Sequence, residues 1–355
     1  MRIGEDYRRR PISRQMTHIG VLTAGGDCPG LNAAIRGVVA RAVADGAEVS
    51  GIADGWAGLM DGRVRQLSRD DVRGILTRGG TILGTSRTDP FEHGDGLTSL
   101  RPVLEETGID RVVVIGGDGS LRTAARLGDE GLPVVGVPKT IDNDIEGTDI
   151  SFGFDTAVQI VTDAIDRLTT TAEAHNRIMV VEVMGRHSGW IAIHAGLAGG
   201  AEAILVPERR YDLDELAARL VARHRSSRDY SIVIVAEGVP GPSGDMVLAG
   251  LDLTGFERLG GVSNLIAAEL EARTGYETRV MILGHLQRGG TPTAFDRVLA
   301  TRMGIRAAEA ALAGDSGVMV ACRGQEMTLV PLSTAVAHPR TVPESRLAEV
   351  EWFLA

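Results

Sequence analysis

Eight short runs of this chain are almost continuously apolar, and segments with helical spacing alternate with them. The runs are HIGVLTA (18–24), EVSGIAD (48–54), RVVVIGG (111–117), LPVVGVPK (132–139), IMVVEVMG (178–185), EAILVPE (202–208), SIVIVAEG (231–238) and TRVMILGH (278–285). A strand with one wet face alternates apolar and polar residues, so runs this uniform predict strands covered on both faces. Between them, 29–45, 120–128, 155–171, 189–198, 212–226, 261–273 and 293–312 have helical spacing. This order predicts an α/β fold, with mostly parallel sheets flanked by helices. At about 150 residues per domain, the length fits two domains with a cleft between them.

Composition then narrows the function. With 47 acidic against 37 basic side chains the net charge is −10, which argues against broad electrostatic binding to nucleic acid or to an anionic membrane. An anionic ligand must therefore meet a locally basic pocket. Two cysteines, Cys28 and Cys322, exclude a disulfide framework and a multi-cysteine metal site, and they fit a reducing, cytoplasmic setting. No stretch approaches the ~18 consecutive apolar residues of a spanning helix. The first fifteen residues, MRIGEDYRRRPISRQ, lack a signal-peptide core; they read as a mobile arm over residues 1–16, with Met16 a candidate start.

Three loops that follow predicted strands carry the chemistry. In TAGGDCPGLNAAIRG (23–37), glycines end a strand and open a helix, which either exposes N–H groups that suit phosphate oxygens or is simply a tight strand-to-helix connection. The spacing matches neither the Walker pattern nor the dinucleotide fingerprint. In VVVIGGDGSLRTAARL (112–127), Asp118 sits inside a glycine loop. A carboxylate there repels bare phosphate, so it makes sense when Mg²⁺ bridges it to a polyphosphate, or else as a helix N-cap. VPKTIDNDIEGTD (137–149) gathers Asp142, Asn143, Asp144, Glu146 and Asp149. In an extended stretch Asp142 and Asp144 face one side, a pair suited to accepting a proton and holding a metal; the alternative is a polar surface turn. Lys139 and Thr140 add a cation and a hydroxyl for phosphate oxygens.

The ordered set TAGGDCPG, GGDGS, PKTIDND, VEVMGRHSGW and GHLQRGGTP resembles the 6-phosphofructokinase family over about residues 17–318. GGDGS alone also fits NAD kinases and diacylglycerol kinases, but the other motifs in this order do not. The resemblance implies Mg²⁺-dependent transfer of a phosphoryl group to fructose 6-phosphate. It makes Asp142 the base, with Thr140 and Asp144 beside it and Arg186 on the transferring group. It places Gly26, Arg87, Gly117, Asp118, Gly119, Ser120 and Lys139 on the donor, with Asp118 near the metal. It places Arg177, Met184, Gly185, Glu237, Arg279, His285 and Arg288, together with Thr140, Asp142 and Arg186, on the sugar phosphate. Family members are usually homotetramers in which the equivalents of Arg177 and Arg279 enter a neighbour's site, so a homotetramer or homodimer with shared sites is implied.

The same resemblance assigns residues 17–153 plus about 287–337 to a donor domain, and 154–286 plus about 338–355 to a sugar-phosphate domain. The phosphoryl donor is ATP or pyrophosphate. ATP-using members usually have Gly after GGD and Gly before TIDND, and pyrophosphate-using members Asp and Lys; this chain has Gly119 and Lys139. An Asp at 119 would block a nucleotide, whereas a Lys at 139 excludes neither donor, so ATP is favoured. Another sugar phosphate as acceptor, or a non-catalytic regulator, are the competing readings; Asp142 and Arg186 are both present, against the second. Arg36, Arg63 and Arg228 match basic positions of the family's effector site, but Ala40 and Ser226 stand where Arg and Lys are usual. Trp190 and Trp352 read as packing residues, and Trp56 as either core or near the nucleotide. The C-terminal CRGQEMTLVPL resembles one strand and PESRLAEVEWFLA one helix, neither carrying a catalytic motif.

Overall fold

The computed structural model describes residues 16–226, 230–251 and 257–354. In chain order its strands are β1 (His18–Ala24), β2 (Glu48–Ile52), β3 (Val64–Gln66), β4 (Arg111–Gly116), β5 (Val134–Thr140), β6 (Phe152–Gly153) and β7 (Ile178–Val183). They continue with β8 (Ala203–Leu205), β9 (Ser231–Ala236), β10 (Leu248–Leu251), β11 (Glu257–Leu259), β12 (Thr278–Ile282), β13 (Val318–Arg323) and β14 (Glu326–Pro331). The helices are α1 (Leu31–Ala44), α2 (Trp56–Met60), α3 (Leu97–Thr107), α4 (Asp118–Asp129), α5 (Phe154–His175) and α6 (Trp190–Ala198). After them come α7 (Leu213–Arg225), α8 (Val262–Thr274), α9 (Ala294–Ala313), α10 (Leu332–Ala335) and α11 (Glu344–Glu349).

Two sheets carry the α/β architecture. The larger has the order β14-β13-β5-β4-β1-β2-β3, with β6 beside β5. It is parallel except at its two edges, where β3 and β14 run antiparallel to β2 and β13. The smaller, β12-β7-β9-β8, is parallel throughout. The uniform apolar runs are explained by cover on both faces of the larger sheet. Val113 and Ile115 of β4 pack with Leu31 and Ile35 of α1 and Met303 of α9, while Val112 and Val114 pack with Leu100, Leu121 and Leu127 on the other side. Helices α1 and α9 lie backbone to backbone: a Cβ at Gly37 would fall 2.5 Å from the Thr301 carbonyl oxygen, and one at Gly304 2.2 Å from that of Ala34.

Some expectations are corrected. CRGQEMTLVPL forms not one strand but the end of β13, a turn through left-handed Gly324 and then β14. PESRLAEVEWFLA breaks into α11 and a short 3-10 turn, Glu351–Phe353. Trp352 does not pack but is 87% exposed, whereas Trp190 and Trp56 are buried. The arm assigned to residues 1–16 lies, apart from Met16, outside the described residues. Among the described residues no helix is long and apolar enough to cross a membrane.

Candidate active site

Loops that leave the carboxyl ends of the two sheets touch one another. Ser188, beyond β7, donates its hydroxyl to the Asp142 carbonyl beyond β5 (3.3 Å). Arg288, beyond β12, donates Nη1 to the Asp27 carbonyl beyond β1 (3.3 Å). Ligands of parallel α/β sheets collect at such strand ends.

On the larger sheet, the Gly25–Gly26 turn is strapped to the GTSRTDP loop. The Gly25 N–H donates to the Ser86 carbonyl (2.9 Å), and Thr85 Oγ1 donates to the Gly25 carbonyl (2.6 Å), which leaves Arg87 exposed one residue further on. Lys139 is buried and donates Nζ to the Gly26 carbonyl. Its pKa is lowered by burial first and by Arg288 as well, although Cys28 opposes this. A Cβ at Gly26 would lie 2.8 Å from Arg288 Nη1, so a side chain there would displace that guanidinium. Helix α4 opens with Gly117 as N-cap and Asp118 as its first residue, so Asp118 is not the cap. The N–H groups of Asp118, Gly119 and Ser120 lack partners within the helix, the arrangement that favours phosphate oxygens. Asp118 instead pairs with Arg122 through both carboxylate oxygens (3.1 and 2.9 Å). A Cβ at Gly119 would meet nothing within 4 Å.

Asp142 and Asp144 do come together, but not by the alternation of an extended stretch. Asn143 between them takes a left-handed φ of 53°, and its Oδ1 accepts from the Ser151 N–H (3.0 Å). The Asp142 N–H donates to Thr140 Oγ1 (3.1 Å). Asp142 Oδ1 is buried without a hydrogen-bond partner among the described residues. Burial, then the Asp144 charge, raise the Asp142 pKa to about 7, while Arg288 and Lys139 pull it down. Burial also raises the Asp144 pKa, against a hydrogen bond from Thr140, and Asp118 adds to the rise.

From the smaller sheet come Met184, Gly185, Arg186 and Glu237. Gly185 has φ +134°, and a Cβ on it would sit 2.5 Å from the Ser188 carbonyl oxygen, so only glycine permits the turn that presents Arg186. The Met184 N–H donates to Oε1 of the fully buried Gln287 (3.2 Å). Burial raises the Glu237 pKa to about 7, helped by the charges of Asp142 and Glu182. His285 is exposed on the 3-10 turn Gly284–Arg288. Arg177 and Arg279 are not part of this cluster. Both pair with Glu277 at the amino ends of β7 and β12, about 20 Å from Arg186 by strand rise.

The donor set fits a Mg²⁺ ion held mainly by phosphate. Among the described residues no group of three His, Cys, Asp or Glu could hold a metal by itself. Burial chiefly raises the Asp144 pKa and the Asp118 charge adds to the rise, so a cation held near the two carboxylates with a polyphosphate would relieve their repulsion. Of the cations matched to an effector site, Arg63 pairs with Asp54 and Asp61, and Arg228 lies outside the described residues. Arg36 lines a cavity of about 400 Å³ with Arg69 and Arg73.

Sequence reasoning missed several residues that hold the site: Gln287, Glu208, Asp296 and Arg340. Asp296 accepts from the Thr156 N–H and Oγ1 (2.8 and 2.5 Å), tying α9 to the start of α5, and Glu208 accepts from the Gly189 N–H (3.0 Å). Gln287 stands inside the GHLQRGGTP motif without a role of its own there, and no motif surrounds the other three, so only their tertiary partners reveal what the four hold.

The family model described as Phosphofructokinase matches residues 18–311. The chain is 54% identical over 339 residues to "ATP-dependent 6-phosphofructokinase 3" of Streptomyces coelicolor, covering 95% of this chain and 99% of that one. It is 53% identical over 338 residues to "Pyrophosphate--fructose 6-phosphate 1-phosphotransferase" of Amycolatopsis methanolica, covering 94% and 99%. Among solved structures, Pichia pastoris phosphofructokinase in the T-state aligns with TM-score 0.81 and 34% identity over 93% of this chain and 36% of that one. Matched through its two sheets and across the strand-end loops that form the cluster, the chain belongs to the phosphofructokinase family.

Proposed function

We propose that the protein transfers the terminal phosphoryl group of ATP to the 1-hydroxyl of fructose 6-phosphate, giving fructose 1,6-bisphosphate and ADP. The observation that carries this reading is Oδ1 of Asp142, buried without a hydrogen-bond partner among the described residues and set among the charges of Lys139, Arg288 and Asp144. Such an oxygen does no structural work and is available to take a proton. As the sugar O1 attacks phosphorus, its proton passes to Asp142, the new P–O bond forms and the bond to the β-phosphate oxygen breaks. Arg186 stabilises charge that spreads over the phosphoryl oxygens. Thr140 holds Asp142 by its backbone, and Asp144 keeps the pair's proton affinity high. Gly26, Arg87, Gly117, Gly119, Ser120 and Lys139 receive the donor. Asp118, helped by Asp144, would hold Mg²⁺, which would neutralise charge on the donor phosphates.

Met184, Gly185, Glu237, His285 and Arg288 receive the sugar phosphate. Arg177 and Arg279 complete the site of a neighbouring subunit in a homodimer or homotetramer, since they lie at the amino ends of their own strands, away from the cluster. The donor half comprises residues 17–153 and about 287–337, the sugar half 154–286 and about 338–355, and the setting is cytoplasmic. ATP is the donor because Gly119 leaves space without being required by the fold: its φ is not left-handed and its neighbourhood is open. Lys139 serves a phosphate of either donor, and relatives named for each donor are 54% and 53% identical to the chain.

The reading is tested by the pH dependence of kcat/KM for fructose 6-phosphate. The base works deprotonated, so the rate should rise with pH through an apparent pKa near 7, the value burial gives Asp142, and level off above it. An acid limb at the ordinary carboxylate value near ~4 would contradict a buried base.

A further inference from the structure

Arg340, between α10 and α11, reaches the turn that carries Asp142 from outside any recognisable motif. Its Nη1 donates to the Asn143 carbonyl (2.9 Å), and its own N–H donates to the Asp144 carbonyl (2.8 Å). Asn143 is the residue held at φ 53°, so the guanidinium clamps the left-handed link between the two carboxylates. Arg340 is itself fixed from the smaller sheet. The Trp190 Nε1–H donates to the Arg340 carbonyl (3.3 Å), and the guanidinium carbon stacks 4.3 Å from the centre of the Trp190 ring. Two residues on, the Val342 N–H donates to Glu208 Oε1 (2.9 Å), and the same carboxylate accepts from the Gly189 N–H (3.0 Å). Gly189 and Trp190 begin α6, directly after the loop that bears Arg186. Segment 340–342 therefore laces the loop of the base to the loop of the transition-state cation.

We propose that Arg340 is a positioning residue for phosphoryl transfer, fixing the Asp142–Asp144 turn in register with Arg186 without touching either substrate. The inference rests on Asp142 acting as the base. Reacting groups must be held to a fraction of an ångström, and a misplacement of ~1 Å can cost on the order of 100-fold in rate. Binding of each substrate draws on other residues, so the effect belongs in kcat. Sequence placed no function in this segment because an Arg between Pro339 and Thr341 carries no local signal.

The test compares Arg340→Met, which keeps an apolar stem against Trp190 but no donor, with Arg340→Lys, which keeps one charged donor. The Met variant should lose about 10- to 100-fold in kcat, with KM for fructose 6-phosphate and for ATP within about threefold of the parent. The Lys variant should recover at least half of that loss on a logarithmic scale. A Met variant with parental kcat, a loss confined to KM, or a Lys variant no better than Met overturns the proposal. Should the Met variant lose its cooperative melt, Trp190→Phe decides. It keeps an aromatic ring beside the guanidinium while removing the Nε1–H bond to the Arg340 carbonyl and part of the indole; a fall of about threefold in kcat with KM unchanged supports the proposal and parental kcat overturns it. Asp142→Asn run beside them separates the two readings. If that variant is active the base assignment fails, and if it is inactive while Arg340→Met is unaffected only the positioning role fails.

Discussion

Asp142→Asn should lower kcat by about 100- to 10,000-fold, the usual contribution of a positioned general base, while fructose 6-phosphate binding and the fold persist. The geometry gives both halves of that result. Oδ1 of Asp142 has no partner to lose among the described residues, and the backbone contacts of the residue, through its N–H to Thr140 and its carbonyl to Ser188, survive the change. Stability should move the other way from activity. The folded chain holds the Asp142 proton more tightly than the unfolded chain does, so the ionised form opposes folding. That opposition is absent below the unfolded pKa near ~4, grows as pH rises, and is complete above about 7. The amide should therefore raise Tm at pH 8, by about 2–4 °C for each kcal/mol relieved, and leave it nearly unchanged near pH 4. Parallel calorimetry and turnover of the purified variant check both. Unchanged turnover would remove Asp142 from the chemistry, and a lower Tm at pH 8 would remove the buried-charge argument.

Gly119→Asp should depress kcat/KM for ATP by about 1,000-fold and that for pyrophosphate far less. The fold accepts the change: the new Cβ meets nothing within 4 Å, the backbone is not left-handed, and a carboxylate in the first turn of α4 suits the helix dipole. Loss must then come from the ligand. A second negative charge about 4 Å from a phosphate oxygen costs about 4 kcal/mol at an effective dielectric of ~20, on the order of 10³ in rate, where the α-phosphate and nucleoside pass. Pyrophosphate has no such extension. Kinetics with the two donors on one protein preparation read the difference directly, and equal losses on both would count against the steric and electrostatic account.

How much of this was legible in the sequence depended on whether the signal was local. The long buried strands β1, β4, β5, β7 and β9 announced themselves, because cover on both faces forces uninterrupted apolar runs. Helix α3 did not: Pro102 interrupts its pattern, and its start is held by Glu130, whose carboxylate accepts from the Leu97 N–H (2.8 Å). Strands β3 and β14 are edges with wet faces and lack the uniform run. In the candidate site, glycine loops after strands marked Gly26, Gly117 and Gly119, and the dense acidic turn marked Asp142 and Asp144. The turn's shape was not readable, since a left-handed Asn143 replaces the extended alternation that spacing suggests. Nor were Arg340, Gln287 and Glu208, whose meaning lies in partners more than a hundred residues away or across a sheet.

The most direct test of the central claim is the initial rate of fructose 1,6-bisphosphate formation from fructose 6-phosphate and Mg²⁺, with ATP and pyrophosphate offered separately. The open space at Gly119 and the Oδ1 of Asp142, buried without a partner among the described residues, predict turnover with ATP. Turnover with pyrophosphate alone would show that Lys139 outweighs Gly119 in choosing the donor, and no turnover with either would contradict the proposed reaction.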